Sequence, residues 1–290
     1  MMSIRWWVFL ALCWVSVAPL RAQDRVLTFK VPDNDYVSYQ KYLNGRDPMD
    51  QTTVRSEGLT RHNMELLVFQ MAPVLGGCAC RIELAPFDVP TTNARMLADV
   101  KSGRSLASAV GGFRTDSRMN RDVYVSEAVL DDTAFKVGLF THSARKEVLA
   151  IHDPEVAMKL VFVAVGSWDV DLQVLRSHGV QVVTAPRWPS ALKMLEVGRA
   201  DVMLQPFSNR PDFSFDNPEG TQRFLPLPGL KMNFGHGRYY FVSQKHPDGA
   251  WFIERLNAGL RKLKASGQLA ALHRAAGLVD ERLAARVEIR

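Results

Sequence analysis

Short apolar runs bounded by turn residues predict strands along much of the chain. One of them, Leu160–Val165, is rich in β-branched residues, which is typical of a parallel strand buried on both faces. The strands predicted in this way cover residues 26–31, 81–85, 105–110, 135–140, 160–165, 180–184, 201–204 and 239–243.

Apolar residues that recur every three or four positions predict helices between these strands. Residues 44–60 are polar and predict a loop. From residue 135 onward strands and helices alternate, which is typical of an α/β protein with a parallel sheet. The predicted helices cover residues 63–75, 93–102, 168–178, 190–197, 251–266 and 268–276.

The N-terminal segment differs in composition from the rest of the chain. A short basic start is followed by the apolar run Trp6–Val17 and by the small residue Ala22. An apolar run of about 12 residues is too short to span a bilayer core of about 30 Å as a helix. We therefore expect residues 1–22 to be a cleaved secretory signal peptide, with an uncleaved membrane anchor as the alternative.

The overall charge is mildly basic. Removing the predicted signal lowers the count of Lys and Arg from 36 to 34 against 30 Asp and Glu, which leaves a net charge of +4. Because the basic residues form no dense stripe, we expect no nucleic-acid binding, whereas an anionic ligand is compatible. The remaining 268 residues suffice for one large domain or two lobes, and we expect a soluble, exported monomer.

Two cysteines, Cys78 and Cys80, remain after the predicted signal. In an oxidising compartment two thiols this close can pair, although a one-residue spacer makes a strained ring. A metal site needs more ligands, and no His lies nearby in the sequence. The pattern therefore predicts a local disulfide or two buried thiols, with a redox or metal role as the less favoured interpretation.

Several motifs from about residue 95 onward occur in the order and spacing of one known family. They are Thr115-Asp116-Ser117-Arg118 with Tyr124-Val125-Ser126-Glu127, the strand end Val165-Gly166-Ser167, Ala191-Leu192 with Gly198-Arg199-Ala200-Asp201-Val202, and Leu256-Asn257-Ala258-Gly259-Leu260 with Ser266-Gly267-Gln268-Leu269. This order resembles the family 3 periplasmic solute-binding proteins, the binding components of ABC transporters for amino acids and similar molecules. The family's early Gly-Phe-x-x-Asp-Leu segment is absent, and a loop of residues 40–60 takes its place.

The resemblance implies an α/β fold of two lobes, the periplasmic-binding-protein type II or Venus-flytrap fold. Each lobe would be a mixed sheet flanked by helices, and two chain crossings near residues 130–137 and 233–240 would form the hinge. Lobe I would comprise residues 23–133 and 239–290, and lobe II residues 134–238. The implied function is capture of a small, carboxylate-bearing solute in the periplasm and its delivery to an inner-membrane ABC permease. No cofactor or metal is implied.

The resemblance also implies a ligand site. Arg118 stands where the family binds the ligand carboxylate, a task that suits a planar, permanently charged guanidinium; Arg114 and Arg121 compete for that role. Ser167 should start a helix, where its hydroxyl and the free backbone N–H groups would bind an anion or form a plain helix cap. Gly166 would let the backbone approach the ligand.

Three further contacts are predicted with alternatives. Trp168 would form a wall of the pocket or belong to the core. Tyr36, in the loop after the first strand, would place its ring against the ligand or lie in an ordinary turn. Gln205 would contact the ligand through its amide.

The sequence also departs from the family pattern. The Asp that usually holds the ligand's ammonium group is missing from Leu204-Gln205-Pro206-Phe207, and no other carboxylate is evident in its place. Small hydroxyl residues are replaced by Gly111, Gly112 and Phe113. Since a buried ammonium without a counter-charge is costly, we expect an organic anion, an aromatic acid or a modified amino acid rather than an ordinary amino acid.

Three other functions compete with transport. A sensor would bind a ligand in the same way but report to a membrane receptor. An enzyme would need a positioned nucleophile or acid–base pair, and neither a His-Glu-x-x-His nor a Gly-x-Ser-x-Gly motif is present. A scaffold that has lost its ligand is the third alternative, suggested by the missing Asp.

Overall fold

The computed structural model describes residues 25–50, 54–114 and 122–289. The predicted signal peptide, residues 1–22, lies outside this part of the chain. In chain order the strands are β1 Arg25–Val31, β2 Cys80–Pro86, β3 Val123–Val125, β4 Lys136–His142, β5 Val161–Val165, β6 Gln181–Ala185, β7 Met203–Pro206, β8 Phe215–Asp216, β9 Arg223–Pro226, β10 Leu230–Asn233, β11 Phe241–Ser243 and β12 Val287–Ile289.

The helices lie mainly between these strands, and a 3-10 turn, Glu281–Leu283, precedes β12. No described helix has the length and apolar character needed to cross a membrane. In chain order the helices are α1 Asp33–Leu43, α2 Arg61–Leu75, α3 Asn93–Ser102, α4 Lys146–Leu149, α5 Pro154–Ala157, α6 Asp169–Ser177, α7 Trp188–Glu196, α8 Gly249–Ala265 and α9 Gln268–Ala275.

The first lobe, as we use the term, consists of β1–β3, β11, α1–α3, α8 and α9. Strands β1 and β2 are parallel, and β3 pairs antiparallel with β11. Helix α2 packs closely against α8: a Cβ atom added to Gly259 would lie 1.7 Å from the Ala72 carbonyl oxygen, so only glycine fits there. Phe29 of β1 and Phe69 of α2 pack edge to face in the core, with ring centroids 4.8 Å apart.

The second lobe is built on β4–β10 and α4–α7. Strand β4 is central, with β7 antiparallel on one side and β9 and β10 antiparallel on the other. The parallel strands β5 and β6 extend the sheet beyond β7, because Phe162 of β5 bridges to Val202 just before β7. The resulting order is β6, β5, β7, β4 and then β9 with β10.

Two antiparallel segments connect the lobes, close to the predicted crossings. The Arg238 amide donates to the Leu130 carbonyl at 2.8 Å, and the Phe234 amide donates to the Phe135 carbonyl at 3.0 Å. Backbone hydrogen bonds therefore hold the two crossings side by side.

The end of the chain makes a further connection. After α9 it leaves the first lobe, and β12 pairs in parallel with β10 of the second lobe. Leu283 is buried in the core of the second lobe. The predicted division assigned all of residues 239–290 to the first lobe, so this segment differs from it; the other boundaries stay predictions. The sequence signal was weak because β12 has only three residues.

Most predicted elements are present, and the structure adds short ones that were not predicted, namely β3, β8, β9, β10, β12, α4 and α5. Two longer segments also differ from the prediction. Residues 105–110 form only an isolated bridge, Ala107 to Val242, instead of a strand. Residues 33–43, expected to be turn and loop, form α1, whose buried side chains Tyr39, Tyr42 and Leu43 follow helical spacing. Asp33 and Asp35 in its first turn favour the helix because they complement its positive N-terminal dipole.

Candidate functional site

Three of the predicted site residues lie at one edge of the second sheet. Gly166 and Ser167 follow β5 directly and are exposed. Gln205 lies in β7, the strand next to β5 in the sheet, which runs parallel to it. The carboxyl ends of such strands meet at one edge, where ligands bind in open α/β sheets. A Cβ atom at Gly166 would have only ordinary contacts, the nearest at 3.8 Å, so the structure does not require glycine there.

The start of α6 differs from the prediction. Ser167 was expected to begin the helix, but the cap position falls on Trp168, with no side-chain cap hydrogen bond. The Trp168 amide donates to the Val165 carbonyl at 2.9 Å, and the indole packs against the core of the second lobe. Trp168 is partly buried against this core, and its contact with a ligand stays a prediction.

Tyr36 lies on the first turn of α1 and not in a loop. Its amide donates to the Pro32 carbonyl at 2.9 Å, and its ring is half-buried against the core of the first lobe. The ring therefore lies near the carboxyl end of β1, where the sequence placed it, but on a helix.

Arg118 lies outside the described residues, as does Arg121. The described chain stops at Arg114, whose guanidinium lies over the Tyr239 ring, 5.3 Å from its centroid. The Tyr239 hydroxyl in turn donates to Asp132 at 2.9 Å, and both residues belong to the hinge. Arg114, the last described residue before Arg118, therefore lies at the hinge.

A buried charged cluster at the hinge was not predicted. Glu65 of α2 accepts hydrogen bonds from Arg238 Nε at 2.8 Å and Arg238 Nη2 at 3.0 Å. The two side chains are only 1% and 6% exposed. Burial tends to raise the pKa of Glu65, but the charges of Arg238 and Arg61 outweigh it and lower the pKa to about 2. Glu65 is therefore ionised between two guanidinium groups.

Arg61 is the second guanidinium of this cluster. Its Nη1 lies 3.3 Å from Glu65 Oε1, and its Nη2 lies 2.9 Å from His62 Nε2. Its Nε is buried and has no hydrogen-bond partner among the described residues. Arg61 is also the first residue of α2, after the capping Thr60, where the helix dipole disfavours a cation. The dipole of α2 therefore disfavours an arginine here, whereas the Glu65 carboxylate one turn later attracts it.

Asp171 is a carboxylate of the second lobe whose pKa responds to the charges of this cluster. It lies in the first turn of α6 and is half-buried. Burial raises the pKa of Asp171 to about 6, against the opposing effects of Arg61 and Arg238. Asp171 was not among the predicted site residues, and it lies on α6 and not on the strand at Gln205.

Aromatic rings line the hinge beside these charges. Phe113 stacks on Phe234 with centroids 5.1 Å apart, and Phe135 meets Phe234 edge to face at 5.3 Å. The Arg238 guanidinium lies 4.3 Å from the Phe113 centroid. Phe113, which replaces a small hydroxyl residue of the family pattern, thus supports Arg238.

The cluster had one sequence signal. Glu65 lies within the apolar run Met64–Phe69 of α2, and Arg61 precedes it by one helical turn. A charge on the core face of a helix requires a buried partner. Arg238 is 173 residues away in the chain, so sequence spacing could not identify it.

Cys78 and Cys80 form a disulfide, the first of the two arrangements that the sequence left open. Both residues are buried; Cys78 lies in the loop before β2, and Cys80 is the first residue of β2. No described group of three or more His, Cys, Asp or Glu side chains is arranged to hold a metal ion.

A cavity of about 340 Å³ runs along β1 and is lined in part by Met96, Leu106 and His246, away from the predicted site residues.

Comparison with solved structures shows the same fold. An amino-acid ABC transporter substrate-binding protein from Streptococcus pneumoniae, bound to L-arginine, matches 74% of this chain and 84% of its own, with 16% identity and a TM-score of 0.51. A probable amino-acid ABC transporter extracellular-binding protein from Bacillus subtilis matches 69% and 81%, with 12% identity and a TM-score of 0.51. The VFT2 domain of Bordetella pertussis BvgS matches 72% and 82%, with 15% identity and a TM-score of 0.50.

No protein-family model and no curated protein sequence matches the chain. The structural matches confirm the predicted fold class: two lobes in the Venus-flytrap arrangement of periplasmic binding proteins. They include substrate-binding components of amino-acid transporters, the type of protein that the sequence motifs resemble.

Proposed function

We propose that this protein is an exported solute-binding protein that closes its two lobes over a small, carboxylate-bearing molecule and delivers it to an ABC permease. The observation that carries the proposal is the charged cluster at the hinge. Arg61 and Glu65 come from the first lobe, Asp171 from the second and Arg238 from a chain crossing. In this proposal the cluster fixes the hinge, and the bound molecule lies between the lobes that it joins.

In this proposal the ligand lies between the lobes, and Arg118 binds a carboxylate with its planar fork. The exposed turn after β5 supplies backbone and hydroxyl donors to the same molecule. The other proposed contacts are Tyr36, Gly166, Ser167, Trp168 and Gln205.

The proposal places the mature protein in the periplasm as a monomer, after removal of residues 1–22. N-terminal sequencing of the exported protein tests the cleavage, because the mature chain should begin at Gln23. A chain that keeps its N-terminus in the membrane would contradict it.

The binding site is tested with Arg118→Ala. We expect this variant to lose binding of a carboxylate that the wild-type protein binds, while its thermal unfolding without ligand stays unchanged. Lys101→Ala, a basic residue on α3, is the control. Equal affinity of wild type and Arg118→Ala would overturn the assignment of Arg118.

A second function, ligand sensing without transport, is favoured by the fold match to the BvgS domain, which comes from a sensor. The two functions differ in what happens after binding. For a transporter component, deletion of the gene abolishes uptake of the bound solute by intact cells. For a sensor, uptake persists and the transcriptional response to the solute is lost.

A further inference from the structure

Asn209 of the second lobe is hydrogen-bonded to two parts of the first lobe at once. Its side-chain Nδ2 donates to the Ala275 carbonyl oxygen at 2.8 Å and also to the Ser56 carbonyl oxygen. Ala275 is the last residue of α9, and Ser56 lies in the loop before α2. None of the three residues belongs to the two chain crossings. One amide group therefore joins the lobes at a point outside the hinge.

Ser56 belongs to a segment that the first lobe holds in place. Its carbonyl oxygen also accepts from the Leu59 amide at 3.2 Å, and the Leu59 side chain is buried in the core of that lobe. The Asn63 side chain donates to the Gly58 carbonyl at 3.0 Å, which fixes the segment to the start of α2. The predicted loop of residues 44–60 thus ends in a fixed acceptor that faces the second lobe.

Asn209 is held equally firmly in the second lobe. It lies in the loop after β7, between Phe207 and Phe213, whose rings are buried in the core of that lobe with centroids 5.3 Å apart. The Ser208 hydroxyl donates to the Ser214 carbonyl at 2.7 Å. Phe213 has a φ of 59°, a conformation that a non-glycine residue keeps only where its surroundings impose it. The loop therefore fixes the position of the Asn209 amide.

The C-terminal strap, residues 277–289, begins at the same contact. The Leu278 amide donates to the His273 carbonyl at 2.9 Å and ends α9, with Gly277 in the left-handed conformation. A Cβ atom at Gly277 would lie 2.5 Å from the Ser208 carbonyl carbon, so the strap starts in direct contact with the second lobe.

The rest of the strap is bound to the second lobe. The Arg286 guanidinium lies 5.0 Å from the ring centroids of both Phe207 and Phe213, and its Nη1 donates to the Leu227 carbonyl at 3.0 Å. The strap therefore belongs to the second lobe, although it starts from a helix of the first. If the lobes separate, the Asn209 bonds must break, and the strap must bend near Gly277.

We propose that Asn209 is a positioning residue for lobe closure. Its amide holds the second lobe against the first, and the C-terminal strap limits how far the lobes separate once its bonds are broken. Water can take the place of Asn209 at both carbonyls, so the contact is weak enough to open reversibly. This inference rests on the proposed function in one respect, the opening and closing of two lobes.

The experiment measures lobe separation in the mature protein without any ligand. Dyes are attached at Val37→Cys on α1 and Arg187→Cys after β6, two exposed positions, while the native cysteines are paired. Single-molecule energy transfer then reports the distance between the lobes. We expect Asn209→Ala to raise the ratio of separated to closed molecules about 10-fold. Asn209→Asp, which keeps the shape but loses both donors, should raise it at least as much.

Two controls separate closure from general destabilisation. Asn93→Ala, an exposed position in α3, should leave the distances unchanged. Ser208→Ala removes a hydrogen bond within the loop that carries Asn209, so it should lower the melting temperature without separating the lobes. Equal shifts of the distance in Ser208→Ala and Asn209→Ala would assign the effect to the loop and overturn the role of Asn209. Thermal unfolding of each variant shows that it is folded.

The strap is tested on top of the open variant. Arg286→Gln combined with Asn209→Ala should lengthen the distance between the dyes beyond that of Asn209→Ala alone, and equal distances would overturn the limiting role of the strap. Unchanged distances in both Asn209 variants would overturn the positioning role. Because the distances are measured without ligand, a protein that binds no carboxylate fails the proposed function and still gives a result here.

Discussion

Arg238 and Glu65 form a two-point ion pair that ties the second chain crossing to helix α2 of the first lobe. Nε and Nη2 of Arg238 lie 2.8 Å and 3.0 Å from the two carboxylate oxygens, and Arg238 also donates to the Gly111 carbonyl. Because Arg238 also bonds to Leu130 through its backbone, one residue connects both crossings with the first lobe. The hinge is therefore anchored at this point.

Removing the carboxylate of this pair should destabilise the protein strongly. Glu65→Gln leaves two buried guanidinium groups without a counter-charge, and we expect a loss of about 3–5 kcal/mol in the free energy of unfolding. Urea unfolding measures it. Glu83→Gln, an exposed acid paired with Arg81, is the control and should change the free energy by less than about 1 kcal/mol. Equal effects of the two substitutions would contradict the account of the hinge.

The lowered pKa of Glu65 predicts how the free energy of unfolding depends on pH. Its pKa is lowered to about 2 in the folded protein, below the ordinary value of 4.5. The stabilisation is therefore complete above pH 4.5 and is lost as the pH falls from there towards about 2. Urea unfolding at a series of pH values should show a smaller acid-dependent loss in Glu65→Gln than in wild type. Parallel curves for the two proteins would count against an ionised, buried Glu65.

Asp171 should have the opposite effect on the ligand-free protein. Its pKa is raised from 3.8 to about 6, so folding loses stability as the pH rises through this interval and the loss stays complete above it. At neutral pH we expect Asp171→Asn to raise the melting temperature by about 2–4 °C, a modest gain because the side chain is only half-buried. The gain should shrink towards pH 4, and Asp169→Asn should show none. A lower melting temperature for Asp171→Asn would contradict the raised pKa.

The contact between α2 and α8 should tolerate no side chain larger than hydrogen at residue 259. A Cβ atom in Gly259→Ala would meet the Ala72 carbonyl oxygen at 1.7 Å, and the two helices would have to separate. We expect a loss of about 3 kcal/mol or more. Glu254→Ala, an exposed position in the same helix, should leave the free energy nearly unchanged in chemical denaturation. A stable Gly259→Ala protein would show that the helices are farther apart.

The C-terminal strand β12 should contribute to the stability of the second lobe. Ile289 is 4% exposed and Val287 is 54% exposed, although both lie in the same strand against β10. Ile289→Ala should lower the free energy of unfolding by about 2–3 kcal/mol, and Val287→Ala by much less. Calorimetric unfolding of both variants measures the difference. Equal, small effects would mean that the end of the chain does not pack on the second lobe.

The sequence predicted local structure well where a pattern repeats within one element. The parallel strands β5 and β6 and helices α6 to α9 were found from apolar spacing, since packing against a sheet imposes that spacing. The sequence does not predict helix α1, because Pro32 and the acidic residues after it are also typical of a turn. The same acids favour a helix start, so the turn signal and the cap signal coincide.

The site was less accessible to sequence reasoning. The turn after β5 was located because a strand end identifies a sheet edge. Glu65, Arg61, Asp171 and Arg238 come from three separate parts of the chain, and only the fold brings them together. Family spacing directed attention to the strand at Gln205, whereas Asp171 lies on α6. A charge can be supplied by any element that borders the junction.

The most direct test of solute capture is a thermal-shift screen of the mature protein. The library would contain amino acids, hydroxy acids, aromatic acids, other small organic acids and polyamines. A ligand that binds only the folded state raises the melting temperature with the logarithm of its concentration. We expect such a shift with at least one carboxylate and none with polyamines. A shift with polyamines alone, or no shift with any acid, would contradict carboxylate capture between the lobes.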